Sequence, residues 1–228
     1  LNEIWQGLLE AIKLIVSLDP EILEISGRSL WIALSSCLLA SVICLPIGGL
    51  IHFQRFAGKR TLISLIQTFY SIPTVVIGLF VFVLLSRTGP LGGFNLLFTP
   101  TAMIIGQMLL VIPIVLGLTI SALSGIDKVI PDTARSLGAG SFQTAVVVLK
   151  EARFAVTAAM IMAFSRAISE VGLALIVGGN IKGFTRVITT TISLETAKGD
   201  LELALALGII LMFIALVINL VLNQLQTR

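Results

Sequence analysis

"PDTARSLGAGSFQTAVVVLKEARF", Pro131 to Phe154, is a polar, glycine-broken stretch in a chain that is otherwise strongly apolar. Pro131 suits the first turn of a helix, where a missing N–H costs nothing, and Asp132 sits near the positive end of that helix's dipole. "DTARSLGA" supplies two turns before Gly138 and Gly140 let the chain change direction. Ser141 is placed to cap a second helix starting at Phe142. The stretch predicts a short helix, a glycine corner, and a helix leading into the next apolar run. A helix too short to cross a bilayer and too polar to enter one must lie against headgroups, its own bundle or a partner protein.

The surrounding composition sets the class. Of 228 residues, 57% are hydrophobic and only 12% charged, against about 25% charged in a soluble domain. Mean hydropathy is +1.08. Apolar runs at about 29–51, 62–85, 101–123, 155–177 and 201–222 match the roughly 20 residues that span a bilayer's hydrocarbon layer. The chain therefore reads as an all-α polytopic membrane protein with about five transmembrane helices. Residues 1–18 are amphipathic: Glu3, Gln6, Glu10, Lys13 and Ser17 face away from Ile4, Trp5, Leu8, Ile12 and Ile15. That pattern predicts a helix lying in the membrane interface, with a short first span as the alternative. "DPEILEISGRS" is expected to separate it from the first full span.

With the N-terminus outside and the C-terminus in the cytoplasm, the inner segments hold eight basic residues: Arg55, Lys59, Arg60, Lys128, Arg135, Lys150, Arg153 and Arg228. The outer segments hold six: Lys13, Arg28, Arg87, Lys182, Arg186 and Lys198. The positive-inside rule favours this orientation. A net charge of +3 gives no argument for nucleic acid as a partner. Pro46, Pro73 and Pro113 each fall within one of the first three spans. Either neighbouring helices re-satisfy the carbonyls they free, or the prolines bend helices around a path. Cys37 and Cys44 share one helix face too far apart to bridge, and with His52 as the sole histidine there is no metal ligand set.

"DTARSLGAGSFQTAVVVLKEARF" resembles the cytoplasmic EAA loop of the permease subunits of ATP-binding-cassette (ABC) importers. The family pattern is Glu-Ala-Ala, three residues, Gly, nine residues, then Ile-x-Leu-Pro. Here three residues separate Asp132-Thr133-Ala134 from Gly138, and nine separate Gly138 from Val148. Thr133 replaces an alanine, and Lys150-Glu151 stands where Leu-Pro is usual. The resemblance implies the type I importer (MetI-like) permease fold over 24–224, with a coupling loop at 127–153 that docks in a groove of the ATPase. On that reading Asp132, Thr133, Ala134, Leu137, Gly138 and Ala139 form the ATPase contact, with Leu137 as its apolar anchor. "FSRAISEVGLALIVGGN", Phe164–Asn180, resembles the branch handling molybdate, sulfate and tungstate. "GGNIKGFTRVITTTISLETAKGDLELALALGIIL", Gly178–Leu211, looks most like the tungstate permeases. The partners implied are a second copy of the chain, two ATPase subunits that use ATP and Mg, membrane lipid, and an extracytoplasmic oxyanion-binding protein. The location implied is a prokaryotic cell membrane. No cofactor is expected on the chain itself, which lacks a G-x-x-x-x-G-K-[ST] phosphate loop.

Arg166 and Glu170 stand out within the fourth run, four apart and so on one helix face. Each costs about 2.5–3.5 kcal/mol at a helix centre, so they must face protein or water. They either line a substrate path or gate, or fix helix packing as an ion pair. Ser169, Asn180 and Thr185 are candidate hydrogen-bond donors along an anion path, and Lys182 and Arg186 either supply positive potential at its mouth or are solvated. Two other classes fit less. An intramembrane enzyme needs a nucleophile with a base, or a metal set, inside the bilayer; a passive channel gives no reason for the loop at Asp132–Ala139.

Overall fold

A computed structural model of the chain describes residues 2–17 and 19–227; Leu1 and Arg228, and the side chains of Glu3 and Ile4, lie outside the described residues. It consists of eleven α-helices among those residues: α1 (Asn2–Val16), α2 (Pro20–Phe53), α3 (Lys59–Thr68), α4 (Thr74–Leu85), α5 (Pro100–Ser124), α6 (Val129–Ser136), α7 (Ser141–Glu151), α8 (Arg153–Ile168), α9 (Gly172–Gly178), α10 (Ile188–Lys198) and α11 (Leu201–Thr227). Three helices are long and apolar enough to cross a membrane alone: α2, α5, and α11 over Leu201–Val221. Counting each of two bent pairs as one span gives five.

The bundle is organised on α2 and α5. Along α2 a stripe of small residues, Ala33, Cys37, Ala40 and Cys44, is buried against Val111 and Val115 of α5 and Ala163, Phe164 and Ala167 of α8. Lipid tails are as apolar as leucine, so burial alone does not hold helices together there; small side chains allow the close approach that dispersion needs. Both cysteines are free and buried, serving as small packing residues.

The first span begins earlier than the sequence predicts. Asp19 accepts hydrogen bonds from the backbone N–H of Glu21 and Ile22, and Pro20 occupies the first helical position, so the cap lies ahead of the charged segment rather than after it. "EILEISGRS" is thus helical, and Ser29 makes a buried hydrogen bond to the Ile25 carbonyl. His52 lies in the last turn of α2, not in the loop.

The second and fourth spans are not single helices. Ile72 is extended (φ −62°, ψ 129°) ahead of Pro73, as the ring of a following proline requires, and the two segments meet at 95°. Pro46 and Pro113, by contrast, lie inside continuous helices. The fourth span stops at Ile168 and restarts at Gly172 with a 61° bend. α1 packs its flank on α11. A Cβ placed on Gly7 would lie 2.7 Å from Leu205 Cβ, so glycine permits the contact. Trp5, Leu9, Ile12 and Val16 remain exposed, leaving the broad apolar face of α1 pointing away from the bundle.

Candidate functional site

Three regions contain the residues singled out from the sequence: a polar corner between α5 and α8, the broken span α8–α9, and the loop between α9 and α10.

At the corner, Pro131 lies in the first turn of α6 with Asp132 after it. The helix ends in a paired C-terminal cap. The Ala139 N–H donates to the Ala134 carbonyl at 3.0 Å and the Gly138 N–H to the Arg135 carbonyl at 3.0 Å. This arrangement needs a left-handed residue after the helix, and Gly138 supplies it at φ +88°. Helix α7 starts one residue earlier than expected. Gly140, not Ser141, is its N-cap, and the Gly140 N–H donates to Gln143 Oε1 at 2.9 Å.

The inner side of the corner is fixed. Val148 and Ala152 are buried with Leu123 of α5, and Ile130 of α6, Phe53 of α2 and Leu149 pack around them. Its outer side is not: Leu137 is 83% exposed, Asp132 and Thr133 are exposed beside it, and Ala134 and Ala139 are half-buried. No atom lies within 4 Å of a Cβ built on Gly138. Leu137 is thus an exposed leucine at the end of a capped polar helix, flanked by small residues. Asp132 and Arg135 are 3.8 Å apart and both exposed, an ion pair of little energetic weight.

In the membrane-depth region, Arg166 and Glu170 meet: Arg166 Nη1 donates to Glu170 Oε2 at 2.9 Å. They are not mid-helix, because α8 has already ended at Ile168. The Glu170 carboxylate lies in the bend, where its Oε1 accepts from the Leu173 N–H at 3.0 Å. Its carbonyl accepts from Thr189 Oγ1 of α10 at 2.8 Å. Thr189 is a residue the sequence reading passed over; the threonine run at 189–191 on an otherwise loop-like stretch is the signal that marks it. Ser169 is exposed and donates to the Arg166 carbonyl at 3.1 Å.

Asn180 and Thr185 are not beside that pair. The Thr185 hydroxyl is buried, donating to the Gly178 carbonyl at 2.6 Å and accepting from the Ile181 N–H at 2.9 Å. Asn180 Oδ1 accepts from Thr190 Oγ1 at 2.9 Å. Both hydrogen-bond sets close the loop between α9 and α10. Lys182 and Arg186 both face Glu21, at 2.8 and 3.8 Å. Lys182 is 67% exposed while Arg186 is 16% exposed, so the two divide: one solvated, one built into the loop. Among the described residues no group of three or more His, Cys, Asp or Glu converges on a metal position.

A model of a family described as binding-protein-dependent transport system inner membrane component matches residues 44–228. The chain is 41% identical over 223 residues to the tungstate uptake system permease protein TupB of Peptoclostridium acidaminophilum, with 98% of each chain covered. It is 36% identical over 226 residues to the protein of the same name in Campylobacter jejuni, covering 99% of this chain and 95% of that one. Its fold is similar to a chain solved in inward-facing conformations of the MetNI methionine ABC transporter, with a TM-score of 0.75 at 16% identity, covering 92% of this chain and 97% of that one.

Proposed function

Because the chain belongs to the family of binding-protein-dependent transport system inner membrane components, we propose that it is the transmembrane permease subunit of an ATP-driven importer of an oxyanion, and that the oxyanion is tungstate. Two copies surround a central path, since five spans are few to enclose one alone. Two ATPase subunits, using ATP and Mg, grip the corner formed by α6 and α7, and an extracytoplasmic binding protein delivers the anion. The N-terminus lies outside and the C-terminus in the cytoplasm, which puts the corner on the ATPase side.

The observation that supports this reading is the form of the corner. Leu137 projects from a capped helix whose Ile130 packs into the cluster of Leu123, Val148 and Ala152. Burying a leucine side chain is worth about 1.5–3 kcal/mol, so a partner groove has a specific apolar purchase. Motion of that groove is passed through Val148 and Ile130 to Leu123 and Phe53, that is, to the ends of α5 and α2. Tungstate, in preference to molybdate or sulfate, follows from similarity over nearly the whole chain to tungstate uptake permeases.

The test of the substrate is uptake of labelled tungstate into proteoliposomes carrying the chain with its ATPase and binding protein, challenged with excess molybdate or sulfate. Uptake that only unlabelled tungstate competes away is expected. Equal competition by molybdate or sulfate would reduce the assignment to oxyanions at large.

A further inference from the structure

We propose that Arg166 is the point inside the membrane where the permeating tetrahedral oxyanion is contacted, and that Glu170 is the residue that positions it; this rests on the importer reading above.

The depth comes first. Arg166 is thirteen residues past Arg153, where α8 leaves the polar corner. At 1.5 Å rise per residue that is about 20 Å, well inside a hydrocarbon layer roughly 30 Å thick. The pair divides unevenly between protein and surroundings: the Glu170 side chain is 3% exposed and that of Arg166 is 38% exposed. A guanidinium facing lipid at that depth would carry a cost that sequences avoid, so an exposed one belongs against water or another polar surface.

The bonding pattern then separates the two roles. Glu170 is occupied: one carboxylate oxygen receives Arg166 Nη1, the other the Leu173 N–H, and its carbonyl takes the Thr189 hydroxyl. Arg166 has five N–H donors, and among the described residues the side-chain hydrogen bond it makes is the one to Glu170. The remaining donors form a planar fork of the kind that reads two oxygens of a tetrahedral anion at once. Ser169 lies beside it, exposed.

The second broken span meets the first here. A Cβ placed on Gly172 would be 3.1 Å from Val75 Cγ2 and 3.7 Å from both Glu170 Oε1 and Thr74 Oγ1, so the start of α4, just after the Pro73 bend, packs on Gly172, two residues from Glu170. Both interruptions are therefore at one place, around one ion pair. Net neutrality has a use. A lone buried cation would hold a dianion tightly; a cation with its own carboxylate behind it attracts without trapping. Conduction requires a contact strong enough to enter and weak enough to leave.

Accessibility labelling of the full complex in proteoliposomes tests this. Ser169→Cys is made in a chain whose Cys37 and Cys44 are replaced by alanine, and is treated with a water-soluble thiol reagent with and without tungstate. The introduced thiol is expected to label, tungstate to slow the labelling, and added Arg166→Gln to abolish that protection while labelling persists. A thiol that never labels, or protection that survives Arg166→Gln, overturns the proposal.

Uptake supplies the second readout. Loss of hydrogen bonds to a charged donor predicts a roughly 10- to 100-fold fall in Arg166→Gln, with ATP hydrolysis still stimulated by the binding protein and a smaller fall in Arg166→Lys. If the pair only held helices together, Arg166→Gln combined with Glu170→Gln, in which the amide at position 170 can still accept from the Leu173 N–H, would keep uptake along with thermal stability. Stability kept without uptake is expected; retained uptake overturns the proposal. Wild-type complex that takes up no tungstate would count against the importer reading instead, whereas wild-type uptake matched by Arg166→Gln would count against Arg166 alone.

Discussion

Helices α2 and α5 run unbroken through the bundle, while α3–α4 and α8–α9 are each interrupted by a bend of 95° or 61°. Proline alone does not make the difference: Pro73 sets the α3–α4 bend, whereas Pro46 and Pro113 lie within the unbroken pair. What differs is the chemistry at the seam. The continuous helices meet through alanine, cysteine and valine at 0–4% exposure, a contact with one good arrangement. The α8–α9 bend is held by directional polar bonds: Thr189 donates to the Glu170 carbonyl, and the Glu170 carboxylate accepts from the Leu173 N–H and from Arg166. Packed seams resist deformation, whereas polar hinges tolerate a second arrangement if their partners can be exchanged. On the proposed function the continuous pair is the frame, and the interrupted segments, with the glycine corner between α6 and α7, are where motion and substrate would act.

Four substitutions sharpen or break that contrast, in descending order of effect. Leu137→Asp should remove most ATP-driven uptake while leaving the purified chain folded, because Leu137 is 83% exposed and the change falls on a surface that a partner would cover. Normal uptake with the ATPase present would remove the corner from the coupling path. Ala40→Leu, at a position with no exposure, should cost about 1–3 kcal/mol by overpacking the frame, read as a lower thermal midpoint in detergent. Uptake per folded molecule should hardly change; a large change would mean that the frame also moves. Thr189→Val removes one buried hydrogen bond and should cost about 1 kcal/mol, yet uptake should fall further than that loss explains. Proportional losses would make the bend merely structural. Ser165→Ala deletes a 3.2 Å hydrogen bond to Asn219 Oδ1 between α8 and α11 and should cost about 0.6 kcal/mol, visible only as a small thermal shift with full uptake.

The frame and the corner are legible in the sequence because each rests on local rules. Apolar runs of spanning length mark α2, α5 and α11, and a left-handed glycine after a two-turn polar helix marks the end of α6. The bends are less legible, for reasons of tertiary origin. "LALIVGG" reads as continuing the apolar run before it, and α8 stops at Ile168 where Glu170 turns to the backbone of α9 and to Thr189, nineteen residues on. No window along the chain contains that partner. Pro73 is visible, but its separation from Pro46 and Pro113 is not, since all three sit in apolar surroundings. The Arg166–Glu170 pairing follows from the i, i+4 spacing; which of the two is buried does not, and it takes the packing of α4 and α10 around Glu170 to assign it. Asn180 and Thr185 read as free donors in the sequence and are occupied in the fold, because a loop of nine residues between α9 and α10 must satisfy its own backbone.

On the proposed function, this membrane chain works only when a partner's ATP hydrolysis drives the corner at Asp132–Ala139. The most direct measurement is tungstate uptake into proteoliposomes of the complete complex, with hydrolysable ATP inside and with a non-hydrolysable analogue in its place. Accumulation with ATP and none with the analogue is the predicted result. Accumulation without hydrolysis would contradict it and make the chain a passive route for the anion.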